Sequence, residues 1–335
     1  MKLSIGIVGL PNVGKSTLFK ALTHNEVHIA NYPFATIDPN VGVVEVPDER
    51  LQKLTQLSAS KKTIPAIVEF YDIAGLVKGA SQGQGLGNQF LSHIREVQAI
   101  AHVVRCFTNS DIIHVEQEID PNRDLHIIHN ELIFKDLETV QKRIIKAEGE
   151  ARTGDKQKIA DLAFLKKIEE MLLNEKLVSN LDRETLDYPL LKELALLTSK
   201  PQLYVLNGNA ADVPQSLIDE IAAEKNMYVV LDLAQLTDLA PLILKAYELL
   251  GLISFFTTGE DETRAWTITR GEKAPQAAGV IHTDFEKKFI RAEVVAYNDF
   301  ISCGGWSQAK QKGKLRLEGK EYIVQDGDII EVRHG

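Results

Sequence analysis

Apolar residues along this chain gather into short, nearly unbroken runs with helical patterns between them. Leu3 to Val8 is one such run, the texture of a parallel strand buried on both faces. Residues 40–46, 66–72 and 101–107 repeat it, as do Gln202 to Leu206 and Met227 to Leu231. A helical stretch follows the first run, from Lys15 to about Leu22. Strands alternating with helices predict a doubly wound α/β domain.

Two regions depart from that rhythm. Roughly residues 131–200 are rich in Leu, Ile, Lys, Glu and Ala, with a helical stripe clearest over Ile159–Ile168 and charges of both signs interleaved. This pattern predicts a helical insertion, an antiparallel arm turning at Thr153-Gly154-Asp155; ordinary crossover helices are the alternative. After Ile253 come short strand-like runs at Ala265–Ile268, Phe289–Val294 and Tyr322–Val324, separated by turns such as Arg270-Gly271-Glu272 and Asp326-Gly327-Asp328. They predict a small β-rich domain of about 80 residues.

Composition narrows the class without changing this picture. The 335 residues are 44% hydrophobic and 25% charged, close to average globular usage. A formal net charge of −9 argues against a whole-surface attraction to nucleic acid or anionic membrane, so any such contact needs a local basic patch. The two cysteines, Cys106 and Cys303, lack metal-ligand spacing and suit a reducing cytosol. The first apolar run is too short for a signal peptide core, and no run approaches the ~18 residues of a membrane helix. The expectation is a cytoplasmic protein with no membrane partner.

Chemistry enters directly after the first strand. Gly9-Leu10-Pro11-Asn12-Val13-Gly14-Lys15-Ser16-Thr17 satisfies the P-loop pattern between a predicted strand and a predicted helix. Its glycines let successive N–H groups, from Asn12 and Val13 through Gly14 to Thr17, turn towards phosphate oxygens at the positive end of a helix. Lys15 supplies a point charge to the β- and γ-phosphates, and Ser16 a hydroxyl to Mg²⁺. About 57 residues beyond Lys15, Asp72-Ile73-Ala74-Gly75 follows a strand. Asp72 is placed to hold the Mg²⁺ shell and the Gly75 N–H to sense the γ-phosphate. Between them Thr36, in Asn31–Asp38, is assigned to a first switch that closes on Mg²⁺ when the γ-phosphate is present. Gly83-x-Gly85-x-Gly87 has the wrong spacing for a dinucleotide fingerprint and suits a flexible second switch. The expected activity is a slow, Mg²⁺-dependent NTPase.

These motifs, with Leu76–Ala80, Gly83–Leu91, Arg264–Ile268 and Ala277–Phe285, resemble the YchF branch of the Obg-related translation-factor NTPases. The resemblance covers almost the whole chain. It implies a P-loop G domain over 1–130 and 201–250, a helical coiled-coil insertion over 131–200, and a β-grasp TGS domain over 251–335. It also implies a preference for ATP over GTP and association with ribosomes.

The base-reading position has diverged. GTP-specific relatives carry Asn-Lys-x-Asp after this strand, where the acid takes two guanine N–H donors. Here the stretch is Asn207-Gly208-Asn209-Ala210. Loss of charged hydrogen bonds worth ~1.5–3 kcal/mol each removes that discrimination. Asn207 keeps an amide able to bond the adenine edge, which favours ATP. Ala210, however, departs also from the Asn-x-x-Glu pattern of the YchF branch, so relaxed ATP/GTP use stays open. Asp212 is a distant substitute for the lost acid.

Leu76 stands where Ras-like proteins orient the attacking water with glutamine, and leucine cannot do so. A K⁺ ion held by Asn12, or a histidine, is left to assist: His114 in a loop on the ligand side of the sheet, or His93 as its rival. Lys310, Lys312, Lys314, Arg316 and Lys320 form a basic stretch suited to tRNA or rRNA. The leading expectation is an ATP-hydrolysing switch acting on the ribosome. The rivals are a GTPase of the same fold, a small-molecule kinase, which lacks its arginine-rich lid here, and a binding module with vestigial hydrolysis.

Overall fold

A computed structural model describes residues 4–24, 32, 38, 40–73, 93–108, 118–235 and 238–335. Thr36, Gly75, Leu76 and His114 lie outside them. The chain divides into two compact units: Met1–Asn25, Thr36–Gly42 and Glu69–Lys245 form the first, and Glu26–Ala35, Val43–Val68 and Ala246–Gly335 the second.

One six-stranded sheet, of order β2-β4-β1-β5-β6-β7, lies largely within the first unit. Its strands are β1 (Ser4–Val8), β2 (Val41–Glu45), β4 (Ile67–Asp72), β5 (Ala99–Arg105), β6 (Gln202–Asn207) and β7 (Met227–Leu231). β1 pairs in parallel with β4 and β5, and β6 in parallel with β5 and β7. Every residue of β1, β5 and β6 is buried, because helices and loops cover both faces. This is why those strands are continuous apolar runs rather than alternating ones. Val8, Ile100, Ile128 and Leu132 form one buried cluster on the sheet, and Val104, Tyr204, Leu206 and Leu217 belong to another.

The helix Pro121–Ala151 opens on an Asp120 cap whose carboxylate accepts the Arg123 N–H, with proline in the first turn. Residue 131 falls inside this one helix, not at an element boundary. Leu125, Ile128 and Leu132 pack it on the sheet, while Val140, Ile144 and Ala147 pack against Leu165, Ile168 and Leu172 of the helix Lys156–Leu173. The cross-links Gln141–Glu169, Glu148–Lys166 and Glu150–Lys158 run in opposite order along the two helices, so the pair is antiparallel. Gly154, at φ 77°, makes the turn, and Asp155 caps the second helix.

The second unit has its own six-stranded sheet, β11-β10-β12-β8-β9-β3. It comprises β3 (Lys62–Ile64), β8 (Leu252–Thr258), β9 (Glu262–Thr269), β10 (Phe289–Ala296), β11 (Arg316–Glu318) and β12 (Asp328–His334). β8 and β9 form an antiparallel hairpin, and β3 pairs in parallel with β9. Phe255, Ile268, Ala278, Val294 and Ile330 fill its core. The run Tyr322–Val324 is not a strand: it makes only the isolated bridge Lys273–Ile323, and the last strand begins at Asp328. The helix Glu49–Ser58 also belongs here. Its Arg50 bonds both Asp48 and Asp326 at 2.8 Å.

Candidate functional site

Because β1, β4, β5, β6 and β7 are parallel, their C-terminal ends share one edge of the sheet. The chain leaves β1 towards β4 on one side and continues through β5 on the other, so the direction of winding reverses between β1 and β5. Open α/β sheets bind ligands outside the strand ends at such a reversal. The P-loop occupies this place, between β1 and the helix α1 (Lys15–Thr23).

Two of its glycines are required by geometry. Gly9 has φ 149°, and a Cβ there would stand 2.4 Å from the Val103 carbonyl oxygen of β5. Gly14 has φ 107°, caps α1 in the left-handed conformation, and a Cβ there would stand 2.5 Å from Asn207 Nδ2. Glycine permits both the backbone conformation and the close approach. Asn12, Gly14, Lys15, Ser16 and Thr17 then line a cavity of about 460 Å³, within the range of small-molecule sites. Val13 is buried and is not among the lining residues.

Lys15 Nζ donates to the Leu10 carbonyl at 2.6 Å. Burial lowers its pKa to about 8 against the raising field of Asp72. Asp72 ends β4 opposite Ile7 of β1 and is 7% exposed. Ser16 presents an exposed hydroxyl in the first turn of α1. Two hard oxygen donors beside a phosphate cradle suit Mg²⁺, which takes few protein ligands and leaves its other positions to water and phosphate.

Asn207 closes the opposite end differently from the sequence-based expectation. Its Nδ2 donates to the Val13 carbonyl at 2.8 Å, and its Oδ1 accepts the Leu233 N–H at 3.1 Å. The amide therefore binds the P-loop to the loop after β7. Ala210 opens a short 3₁₀ turn and is exposed. Asp212 closes that turn, accepting from the Asn209 N–H and Nδ2. Neither lines the cavity. Phe107, Thr108, Asp232, Leu233 and Ala234 do, and none of them carries a motif in the sequence. The available signal was position: each directly follows β5 or β7. The Arg105 guanidinium lies 4.4 Å from the centre of the Phe107 ring, and Arg105 Nε donates to the Phe107 carbonyl. This holds the aromatic ring at the cavity.

His93 is half-buried and is not among the cavity's lining residues. Of the basic stretch, Lys314 pairs with Asp299, and Arg316 with Asp328 and Glu318. Lys310, Lys312 and Lys320 are exposed. Among the described residues no helix is long and apolar enough to cross a membrane.

Comparison with known proteins agrees with this geometry. A family model described as a 50S ribosome-binding GTPase matches residues 4–144. A second, the C-terminal model YchF-GTPase_C, described as a protein of unknown function, matches residues 252–335. The ribosome-binding ATPase YchF of Bacillus subtilis is 50% identical, with 99% of each chain covered. That of Escherichia coli O157:H7 is 46% identical, with 98% of each covered. The alignment to the Bacillus protein spans 363 positions against 335 residues here, so at least 28 positions have no counterpart in this chain. The solved structure of the Schizosaccharomyces pombe YchF GTPase superposes with a TM-score of 0.90 at 39% identity, covering 99% of this chain and 98% of that one.

Proposed function

The chain belongs to the YchF family, and from that premise we propose that it binds ATP at the P-loop, hydrolyses it, and associates with the ribosome as an ATP-driven switch. The observation that carries the reading is the P-loop itself: a glycine-strained turn at the winding reversal, with Lys15 at its centre and a cavity extending towards Asn207. The curated relatives from Bacillus and Escherichia are named ribosome-binding ATPases over their full length.

In this reading the N–H groups from Asn12 to Thr17 bind the phosphates, and Lys15 offsets the charge on the β- and γ-oxygens. Ser16, Asp72 and Thr36 would hold Mg²⁺, which when bound would supply positive charge to offset that on the phosphates. The Gly75 N–H senses the γ-phosphate. Asn207 positions the P-loop, and the Phe107 ring offers a face to the base. His114 remains the proposed group for placing water, and Asn12 the proposed ligand for an assisting K⁺. K⁺ stimulation lost in Asn12→Ala supports that second role, and stimulation that survives the substitution rejects it.

The antiparallel helices serve as a coiled-coil insertion and residues 251–335 as a TGS domain. Lys310, Lys312 and Lys320 supply the charge for ribosomal or transfer RNA, and the working compartment is the cytoplasm. Pelleting with purified ribosomes tests the switch. A non-hydrolysable ATP analogue and ADP should give different bound fractions, and Lys15→Ala should remove the difference. Equal pelleting of the wild-type chain in both states would contradict it.

A further inference from the structure

Among the described residues that line the cavity, Asp232 is the only carboxylate. It stands in the loop after β7, beside Leu233, whose N–H is held by Asn207. That loop is fixed from both ends. The Asp232 Oδ1 accepts the Ala234 N–H at 3.0 Å, and the Leu233 N–H is held by Asn207 at 3.1 Å. The Leu233 side chain also lies against the Gly14 position. The second Asp232 oxygen has no hydrogen-bond partner among the described residues. Meanwhile Ala210 has lost the acid expected after β6, and the Asp212 carboxylate is spent on its own turn.

We propose that Asp232 is the base-reading residue of this nucleotide site, holding the amino edge of a purine and thereby admitting GTP as a second substrate beside ATP. The inference rests on the nucleotide-site reading above. A carboxylate only accepts hydrogen bonds. Guanine presents N1–H and the 2-amino group side by side, two donors for one carboxylate. Adenine presents its 6-amino group beside the N1 lone pair, one donor and one repulsion. A free carboxylate at the base end therefore cannot exclude guanine, and charge-assisted bonds to it are the strong ones.

The test is calorimetric binding of ATP, GTP and xanthosine triphosphate, with Mg²⁺, to the full chain and to Asp232→Asn and Asp232→Ala. Asparagine keeps the Oδ1 acceptor for Ala234, so the loop is retained while the charge is removed. The wild-type chain should bind GTP within about tenfold of ATP. Asp232→Asn should weaken GTP about tenfold or more, the loss of at least one charged hydrogen bond, and weaken ATP by a clearly smaller factor, because adenine offers the carboxylate one donor where guanine offers two. It should also bind xanthosine triphosphate more tightly than the wild type does, because the xanthine 2-carbonyl accepts where guanine donates. A purely structural aspartate would not produce that gain. An unchanged GTP-to-ATP ratio in both variants, or an equal loss for both nucleotides, would overturn the inference. Failure of the wild-type chain to bind ATP would instead reject the ATPase reading, a separate outcome.

Discussion

Burial strips water from the Lys15 ammonium and draws its pKa down to about 8, while the Asp72 carboxylate pulls in the other direction. Below pH 8 the side chain is charged in the free protein; above it, a growing fraction is neutral. A triphosphate favours the ammonium form, so binding above pH 8 must take up a proton, and affinity should fall as pH rises. Calorimetry at pH 8.5 in two buffers of different ionisation enthalpy should detect uptake of roughly half a proton or more per nucleotide. Buffer-independent heats would show that Lys15 is already fully charged. The P-loop was legible in the sequence because its chemistry is contiguous: one turn carries glycines, lysine and hydroxyls. Asp232 and Phe107 were not, since they come together only through the order of β5, β6 and β7, which no local pattern carries. Asn207 was legible as the first residue of the base-reading stretch after β6, but its brace to Val13 depends on a partner 194 residues away.

Between β5, β6 and the helix Pro121–Ala151 lies a buried polar group that the hydrophobic pattern hides. His129 Nε2 meets the Tyr204 hydroxyl at 2.9 Å, and that hydroxyl also donates to Gln202. The His102 ring packs beside both. Burial, and then the neighbouring His126, lowers the His129 pKa to about 4, and His102 is also held well below its ordinary value. Both are neutral in the folded state, whereas the unfolded chain takes up protons from about pH 6.5 downward. The unfolded state then binds more protons, so stability must fall as pH drops from about 6.5 towards 4, by up to about 1.4 kcal/mol per pH unit for each histidine. Urea unfolding between pH 7 and 5 should record this loss, and His129→Gln should flatten the slope. An equal slope in the variant would remove His129 from the account. Strands and long helices were legible at this scale through periodicity. Tyr322–Val324 misled because Val324 is buried like a strand residue, yet its backbone bonds to Glu272 rather than to a neighbouring strand.

The division of the whole molecule follows from one long-range pairing. β3 adds to β9 in parallel, Ser60 donates to the Gly259 carbonyl at 2.6 Å, and Arg50 bonds Asp326, so residues 43–68 complete the second unit. Parallel pairing across some 200 residues leaves no local trace, and the sequence therefore offered only the C-terminal texture change near Ile253. A fragment of residues 246–335 would lack β3 and the helix Glu49–Ser58 and expose the edge of β9, an invitation to self-association. Sedimentation should find it aggregated or unfolded; a monodisperse, well-dispersed amide spectrum would show that the segment is dispensable. The central claim concerns the P-loop, and ATP turnover by the purified full chain tests it most directly, in K⁺ and in Na⁺, beside Lys15→Ala. Slow Mg²⁺-dependent release of phosphate from ATP, lost in Lys15→Ala and removed by chelation, is the result the account predicts. Turnover that survives Lys15→Ala, or a wild-type chain that neither binds nor cleaves ATP, would contradict it.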